Sequence, residues 1–231
     1  MEIYFDNSAT TQVAESAVAA MVKAMRQEYG NPSSLHRRGL TAEKLLTTSR
    51  EKLAACLQVA PEEIYFTSGG TESDNLAISG IAGAYGKKGG HILTTAIEHP
   101  AVLEPIKRLA EMGFSVEILS PGPDGIVRVE TVAAALRPDT LLVSMMQVNN
   151  ETGAIQPIAE VGALLAAQKH KIYFHVDGVQ GFGKLPCPVR KWGVQLYTAS
   201  GHKIHGPKGI GLLYCAKGVR LRPLVVGGGQ E

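Results

Sequence analysis

The sequence is poor in the features that mark secreted, membrane-spanning or nucleic-acid-binding chains. Its 231 residues contain three cysteines, Cys56, Cys187 and Cys215, with no CxxC pair. That excludes a disulfide framework and a cysteine-rich zinc site. The opening residues MEIYFDNSATT have no basic stretch and no long apolar run, so a secretory signal is not expected. No apolar segment reaches the ~18 residues that a membrane span requires. Charge is scarce and balanced, 23 Lys+Arg against 21 Asp+Glu, and the formal net charge of +2 leaves no basic footprint for nucleic acid or an anionic membrane. These absences predict a soluble, reduced, cytoplasmic protein that binds neither nucleic acid nor membrane.

What is present is a globular composition, 45% apolar and 19% charged, which supports a real core. The length fits one large α/β domain or two small ones. Short blocks rich in β-branched and aromatic residues predict strands at Ile64–Thr67, Ile92–Thr95, Ser115–Leu119, Leu141–Val148, Ile172–Val176, Leu196–Ala199 and Leu212–Tyr214. Between them, helical patterns occupy about 72–86, 100–112, 129–136 and 157–170, the last with Pro157 near its first turn. Such alternation predicts a mostly parallel sheet with helices on both faces. Two further helices, 12–28 and about 38–57, precede it around the loop Gly30–Ser34. The segment from Val225 to Glu231 reads as a strand running into a glycine turn. A complete domain rarely stops there, so the expectation is an amino-terminal portion of a longer protein.

Two segments could carry chemistry. Ser68–Asp74 (SGGTESD) follows a strand and opens a helix. It reads equally as a tight turn with Thr71 or Ser73 as N-cap, or as an anion cradle of backbone N–H groups with the Thr71 hydroxyl. It is neither GxGxxG nor a Walker motif, which argues against dinucleotides and nucleoside triphosphates. Ser200-Gly201-His202-Lys203 follows another strand. Lys203 alone is more readily a surface lysine in a basic loop with Lys208. Asp177, however, closes the strand Ile172–Val176, and a carboxylate at a carboxyl strand end lies on the ligand edge of an open α/β sheet. A Schiff-base lysine, an aspartate for a pyridinium nitrogen and a phosphate cradle together make a pyridoxal 5'-phosphate (PLP) site.

Seven motifs in order then carry a family resemblance. They are Asp6-Asn7-Ser8-Ala9-Thr10-Thr11, Gly30-Asn31-Pro32-Ser33-Ser34, Thr67 to Asn75, Glu98-His99, Val148-Asn149-Asn150-Glu151, His175-Val176-Asp177 and Ser200-Gly201-His202-Lys203. The chain resembles the cysteine desulfurases, class V aminotransferase-like enzymes of PLP fold type I, from residue 2 to its end. The resemblance implies an α/β fold in which residues 1–231 form the PLP-binding large domain, a mostly parallel sheet of the seven-stranded type between helices. It also implies an amino-terminal helical arm over about 1–60, with the carboxyl-terminal small domain absent from this chain.

The resemblance further implies that Lys203 holds PLP as a Schiff base and that Asp177 keeps the pyridine nitrogen protonated. His99 stacks on the ring and acts as acid/base, and Asn150 and Gln180 approach the phenolic oxygen. Gly70, Thr71, Ser200 and His202 hold the phosphate. The implied activity converts L-cysteine to L-alanine and passes sulfur as a persulfide to an iron–sulfur scaffold or tRNA-thiolation acceptor, in a homodimer. Gly178 and Gly70 stand where alanine is common, and each loses a methyl beside the cofactor, which loosens its packing. The family's sulfur-accepting cysteine, its carboxylate-binding arginine and a residue lent by the neighbouring subunit all fall downstream of Glu231. Cys56 and Cys215 read as inert core thiols, and Cys187 as more exposed, without a feature that lowers its pKa. Selenocysteine as substrate stays open. So do two other readings: a non-catalytic dimerisation or scaffold module, and a metallohydrolase with His175, Asp177, His202, His205 and Asp6 as ligands. The last is weak for want of a metal-ligand spacing, and no metal is expected.

Overall fold

The computed structural model describes residues 3–87 and 89–228. Two helices come first, α1 (Glu15–Gln27) and α2 (Arg37–Leu57), then β1 (Ile64–Thr67), α3 (Gly70–Tyr85), β2 (His91–Thr95), α4 (Pro100–Glu111) and β3 (Ser115–Leu119). They are followed by α5 (Val129–Ala135), β4 (Thr140–Met146), α6 (Ile158–Ala166), β5 (Tyr173–Asp177), β6 (Leu196–Ser200) and β7 (Gly211–Cys215). The strands form one sheet of seven in the order β1-β7-β6-β5-β4-β2-β3. β2, β3, β4, β5 and β6 pair in parallel, and β7 runs antiparallel to both β6 and β1. A mixed α/β sheet flanked by helices is therefore the architecture.

The strands are apolar on both faces because both are covered. Leu93, Val143, Phe174, Val176, Tyr197 and Leu212 pack with α2, α5 and α6 residues such as Leu57, Val132 and Val161. Their neighbours Ile92, Leu142, Tyr173, Leu196 and Leu213 face the other way and pack with Ile78, Ile81, Val102 and Ile106 of α3 and α4. Each such side chain contributes about 1.5–3 kcal/mol on burial.

The predicted strands and helices up to Tyr214 all form, with local differences at their ends, and the strand expected at Val225 does not. α1 starts at Glu15 rather than 12, because the preceding backbone is engaged elsewhere: Thr11 N donates to His202 O (2.8 Å) and Ala14 N to His205 O (2.9 Å). α6 stops at Ala166, short of 170, where the Gln168 side chain turns back to the Leu164 carbonyl (3.0 Å). No strand forms at Val225–Val226. Both side chains are strongly exposed and no neighbouring strand offers them a ladder, so the chain only bends there. Gly229, Gln230 and Glu231, in the expected turn, lie outside the described residues.

The cysteine expectations reverse at two positions. Cys56 is exposed, because α2 buries only Gly39, Ala54 and Leu57 against the core. Cys187 is buried, its sulfur 3.1 Å from the Tyr197 hydroxyl and 3.2 Å from Leu185 O. Cys215 is buried as expected, and burial pushes its thiol up to about 11. Among the described residues, no helix is long and apolar enough to cross a membrane.

Candidate active site

The parallel strands bring the carboxyl ends of β4, β5 and β6 to one edge, and there a cavity of about 440 Å³ opens. Gly70, Thr71, His99, Asn150, Asp177, Gln180, Ser200, His202 and Lys203 all line it. The sequence reading thus assembles in one place, from five separate stretches of chain.

Each element has a local reason to present its group. Asp177 is the last residue of β5, and the ladder runs on past it: Gln147 N donates to Asp177 O (2.8 Å) and Gly178 N to Thr198 O (2.9 Å). The backbone there is rigid, so the carboxylate is held in place. Its Oδ1 accepts from Val179 N (2.9 Å), and burial, then the nearby Asp74 carboxyl, push its pKa up to about 7. A buried acid of this kind is short of a positive partner.

Facing it is the start of α3. Its N-cap is Gly69, with no capping side chain. Ser73, one of the two N-caps considered from sequence, instead bonds Thr67 Oγ1 (2.7 Å) and the Leu212 carbonyl (3.0 Å). The first-turn N–H groups of this helix are left for an anion, which fits the cradle reading over the capped turn.

His99 caps α4, its Nδ1 accepting from Ala101 N (3.1 Å), so a neutral ring carries its proton on Nε2. Glu98 sets this corner. It is buried, and its Oε1 accepts from Thr95 Oγ1 (2.5 Å) and Met146 N (2.8 Å). Burial raises its pKa to about 8. Asn150 Nδ2 donates to Glu151 Oε1 (2.6 Å). Ser200 ends β6, and the 3-10 turn Gly201–Lys203 turns His202 and Lys203 inward. His202 Nδ1 lies 3.1 Å from Thr10 Oγ1. Lys203 Nζ donates to the carbonyls of Ser8 and Ala9, the latter at 2.8 Å. Burial and the charge of Lys184 lower the pKa of Lys203, while Asp177 and Asp6 oppose that shift.

Two contributions were not read from sequence. Asp6, Ser8 and Ala9 form a wall of the cavity, although their motif carried only the family resemblance and no role at the cofactor. Asp74 also lines it, buried, with Oδ1 unbonded among the described residues and 3.4 Å from His175 Nε2. Burial pushes Asp74 up to about 8. The available signal was spacing, since Asp74 stands four residues after Gly70 on the same helix face.

The metallohydrolase reading loses its ligands to other bonds. His175 Nδ1 lies 2.8 Å from Ser144 Oγ and Nε2 3.1 Å from Thr198 Oγ1, and burial holds its pKa down at about 4. His205 Nδ1 is 3.0 Å from Gln12 O. No group of three His, Cys, Asp or Glu among the described residues is placed to hold a metal ion.

Comparison with known proteins identifies the family. A family model described as aminotransferase class-V matches residues 3–231. The chain is 48% identical over 229 residues to the cysteine desulfurase IscS of Methanosarcina thermophila, covering 99% of this chain and 56% of that protein. It is 47% identical over 229 residues to the putative cysteine desulfurase IscS 1 of Bacillus subtilis, covering 99% and 60%. Among solved structures, a NifS-like protein superposes with a TM-score of 0.96 at 43% identity, covering 100% of this chain and 63% of that one. SspA in complex with cysteine superposes at 0.95 with 39% identity, covering 99% and 66%. The chain thus spans under two thirds of the length of these relatives. Over that span, and from residue 3 onward, it belongs to the aminotransferase class-V family.

Proposed function

We propose that this chain is the cofactor-binding portion of a PLP-dependent cysteine desulfurase. One observation carries the reading: Lys203 Nζ, the buried Asp177 carboxyl and the uncapped start of α3 converge on a single cavity. These residues fit the cofactor chemically. The buried Asp177 lacks a cation, which a pyridinium N–H supplies, and α3 lacks an anion, which a phosphate supplies. Lys203 holds the cofactor covalently, and Gly70, Thr71, Ser200 and His202 surround its phosphate. Once bound, it acts as an electron sink conjugated to the substrate α-carbon.

The remaining steps belong to the chain. Burial and the charge of Lys184 lower the pKa of Lys203, which would favour its amine, once displaced from the cofactor by substrate, as the base that takes a proton from the α-carbon and returns it. His99, which lines the cavity with Nδ1 engaged by Ala101 N, would lie against the cofactor ring and offer Nε2 as the proton-carrying atom. Gln180 and Asn150 donate toward the phenolic oxygen. L-cysteine becomes L-alanine while its sulfur joins an enzyme thiol as a persulfide. Among the described residues, none of Cys56, Cys187 and Cys215 lines the cavity, which supports assigning that thiol to none of the three. L-cysteine as substrate draws support from the IscS relatives and from the SspA complex.

We read the assembly as a cytoplasmic homodimer that hands sulfur to an iron–sulfur scaffold or another acceptor. α1 buries none of its residues and exposes Met25, and Phe5, Tyr29 and Leu35 in the flanking segments are exposed as well, apolar surface suited to a second copy. The test is borohydride reduction of PLP-loaded protein followed by peptide mapping. A pyridoxyl adduct on the Lys203 peptide is expected. An adduct on Lys208, or none in yellow protein, overturns the assignment.

A further inference from the structure

Gln180 is held at both ends of its amide. Residues 178–185 form a helix-like turn, with Phe182 N donating to Gly178 O (2.8 Å) and Leu185 N to Gly181 O (2.9 Å). That places Gln180 and Lys184 four residues apart on one face. Lys184 Nζ donates to Gln180 Oε1 (3.2 Å), and Gln180 Nε2 donates to the Ser8 carbonyl (2.8 Å). An ammonium can only donate and a carbonyl can only accept, so these two partners fix which way the amide faces. The same Ser8 carbonyl accepts from Lys203 Nζ. A continuous chain of bonds therefore runs from Lys184 through Gln180 and Ser8 to the amine of Lys203.

We propose that Lys184 is a positioning residue for the reactive end of the site: it locks the Gln180 amide with nitrogen turned inward and sets a positive charge beside Lys203. This rests on the cofactor reading above. The inward nitrogen lets Gln180 donate to the phenolic oxygen of the cofactor and prevents it from presenting its own carbonyl oxygen there. The charge of Lys184 favours the unprotonated form of the nitrogen on Lys203. Around Lys203 the other ionisable groups are Asp6, Asp74, His99, Glu151, Asp177 and His202 in the cavity wall, with Lys208 on the following loop. Of these, Asp177 and Asp6 act on Lys203 in the opposite sense to Lys184.

The test uses the PLP-loaded chain and follows its visible absorption band against pH. Lys184→Met is expected to keep the cofactor and move the midpoint upward by about threefold in proton affinity, the effect of one partly screened like charge. Lys184→Arg, which keeps charge and donor, is expected to titrate as the parent. Gln180→Leu should reduce the further effect of Lys184→Met. A second readout needs no cofactor: the Gln180 side-chain amide protons of Lys184→Met should exchange with solvent several-fold faster by NMR. An unmoved midpoint in cofactor-bound Lys184→Met, or unchanged amide exchange, overturns the role of Lys184 alone. A parent chain with no band and no adduct on Lys203 overturns the cofactor reading and, with it, this role.

Discussion

The phenol ring of Tyr197 fills the space into which a β-carbon on Gly178 would project. The Tyr197 hydroxyl, at the same end of the ring, donates to Gln147 Oε1 (2.6 Å) and lies 3.1 Å from Cys187 Sγ, so the ring cannot easily swing aside. The missing methyl at 178, read from sequence as loosened packing, is thus occupied volume. Gly178→Ala should cost about 1–3 kcal/mol through overpacking, seen as a lower urea midpoint. Gly178→Ala with Tyr197→Leu should lose less than the sum of the two single changes. Simple additivity would show that the two positions do not compete for space.

Asp177 is expected to matter to the cofactor more than to the fold. Leaving a pyridinium without its buried partner costs roughly 3–5 kcal/mol. Asp177→Ala should therefore weaken PLP retention by about two to four orders of magnitude, read from a spectrophotometric titration. The cofactor-free variant should unfold no earlier than the parent, because it no longer buries an uncompensated acid. Equal affinity in both proteins would assign the pyridine nitrogen to a different residue.

Much of this was legible because the sheet is buried on both faces. Continuous apolar blocks such as Leu196–Ala199 then have clear edges, and Asp177 and Lys203 announce themselves by following them. What the sequence did not disclose depends on tertiary contacts. The helical pattern starts at residue 12, yet the N–H groups of Thr11 and Ala14 on either side of that start are taken by His202 and His205, nearly the length of the chain away. Periodicity cannot tell which side of α2 is covered, so Cys56 was placed inside; Cys187 was placed outside because its Pro-flanked segment reads as a loop, which the contacts with Tyr197 and Leu185 bury. Asp74 hid within a capping-like motif whose helix has no capping side chain.

The inverted cysteine pattern can be checked directly. Cys56 is exposed, whereas Cys187 and Cys215 are buried. A thiol reagent should modify Cys56 in the native protein, and the other two only after unfolding. Cys56→Ser should abolish the native reaction. Rapid native labelling of Cys187 would mean that the Tyr197–Gln147 pocket opens readily.

The last expectation concerns pH and the cofactor-free fold. Asp74, Glu98 and Asp177 are buried with pKa values pushed up to about 8, 8 and 7, chiefly by burial. As pH rises from their ordinary values near 4 toward these, the unfolded chain releases protons that the native state keeps. The unfolded state then binds fewer protons, so stability falls with pH across that window. His175 works in the opposite sense. Burial lowers its pKa from 6.5 to about 4, so between those values the unfolded chain holds the extra proton and stability rises with pH. The histidine offsets part of the loss below its ordinary pKa of 6.5 and none of it above. The cofactor-free protein should therefore lose stability on going from pH 6.5 to about 8, measured by urea unfolding with buffer and ionic strength fixed. Asp74→Asn removes one of the three acids and should flatten that decline without abolishing it. PLP should flatten it further, since a pyridinium beside Asp177 returns that carboxyl to its ionised form. Stability that rises through this interval, or an unaltered slope in Asp74→Asn, would mean that these carboxyls ionise freely in the native state.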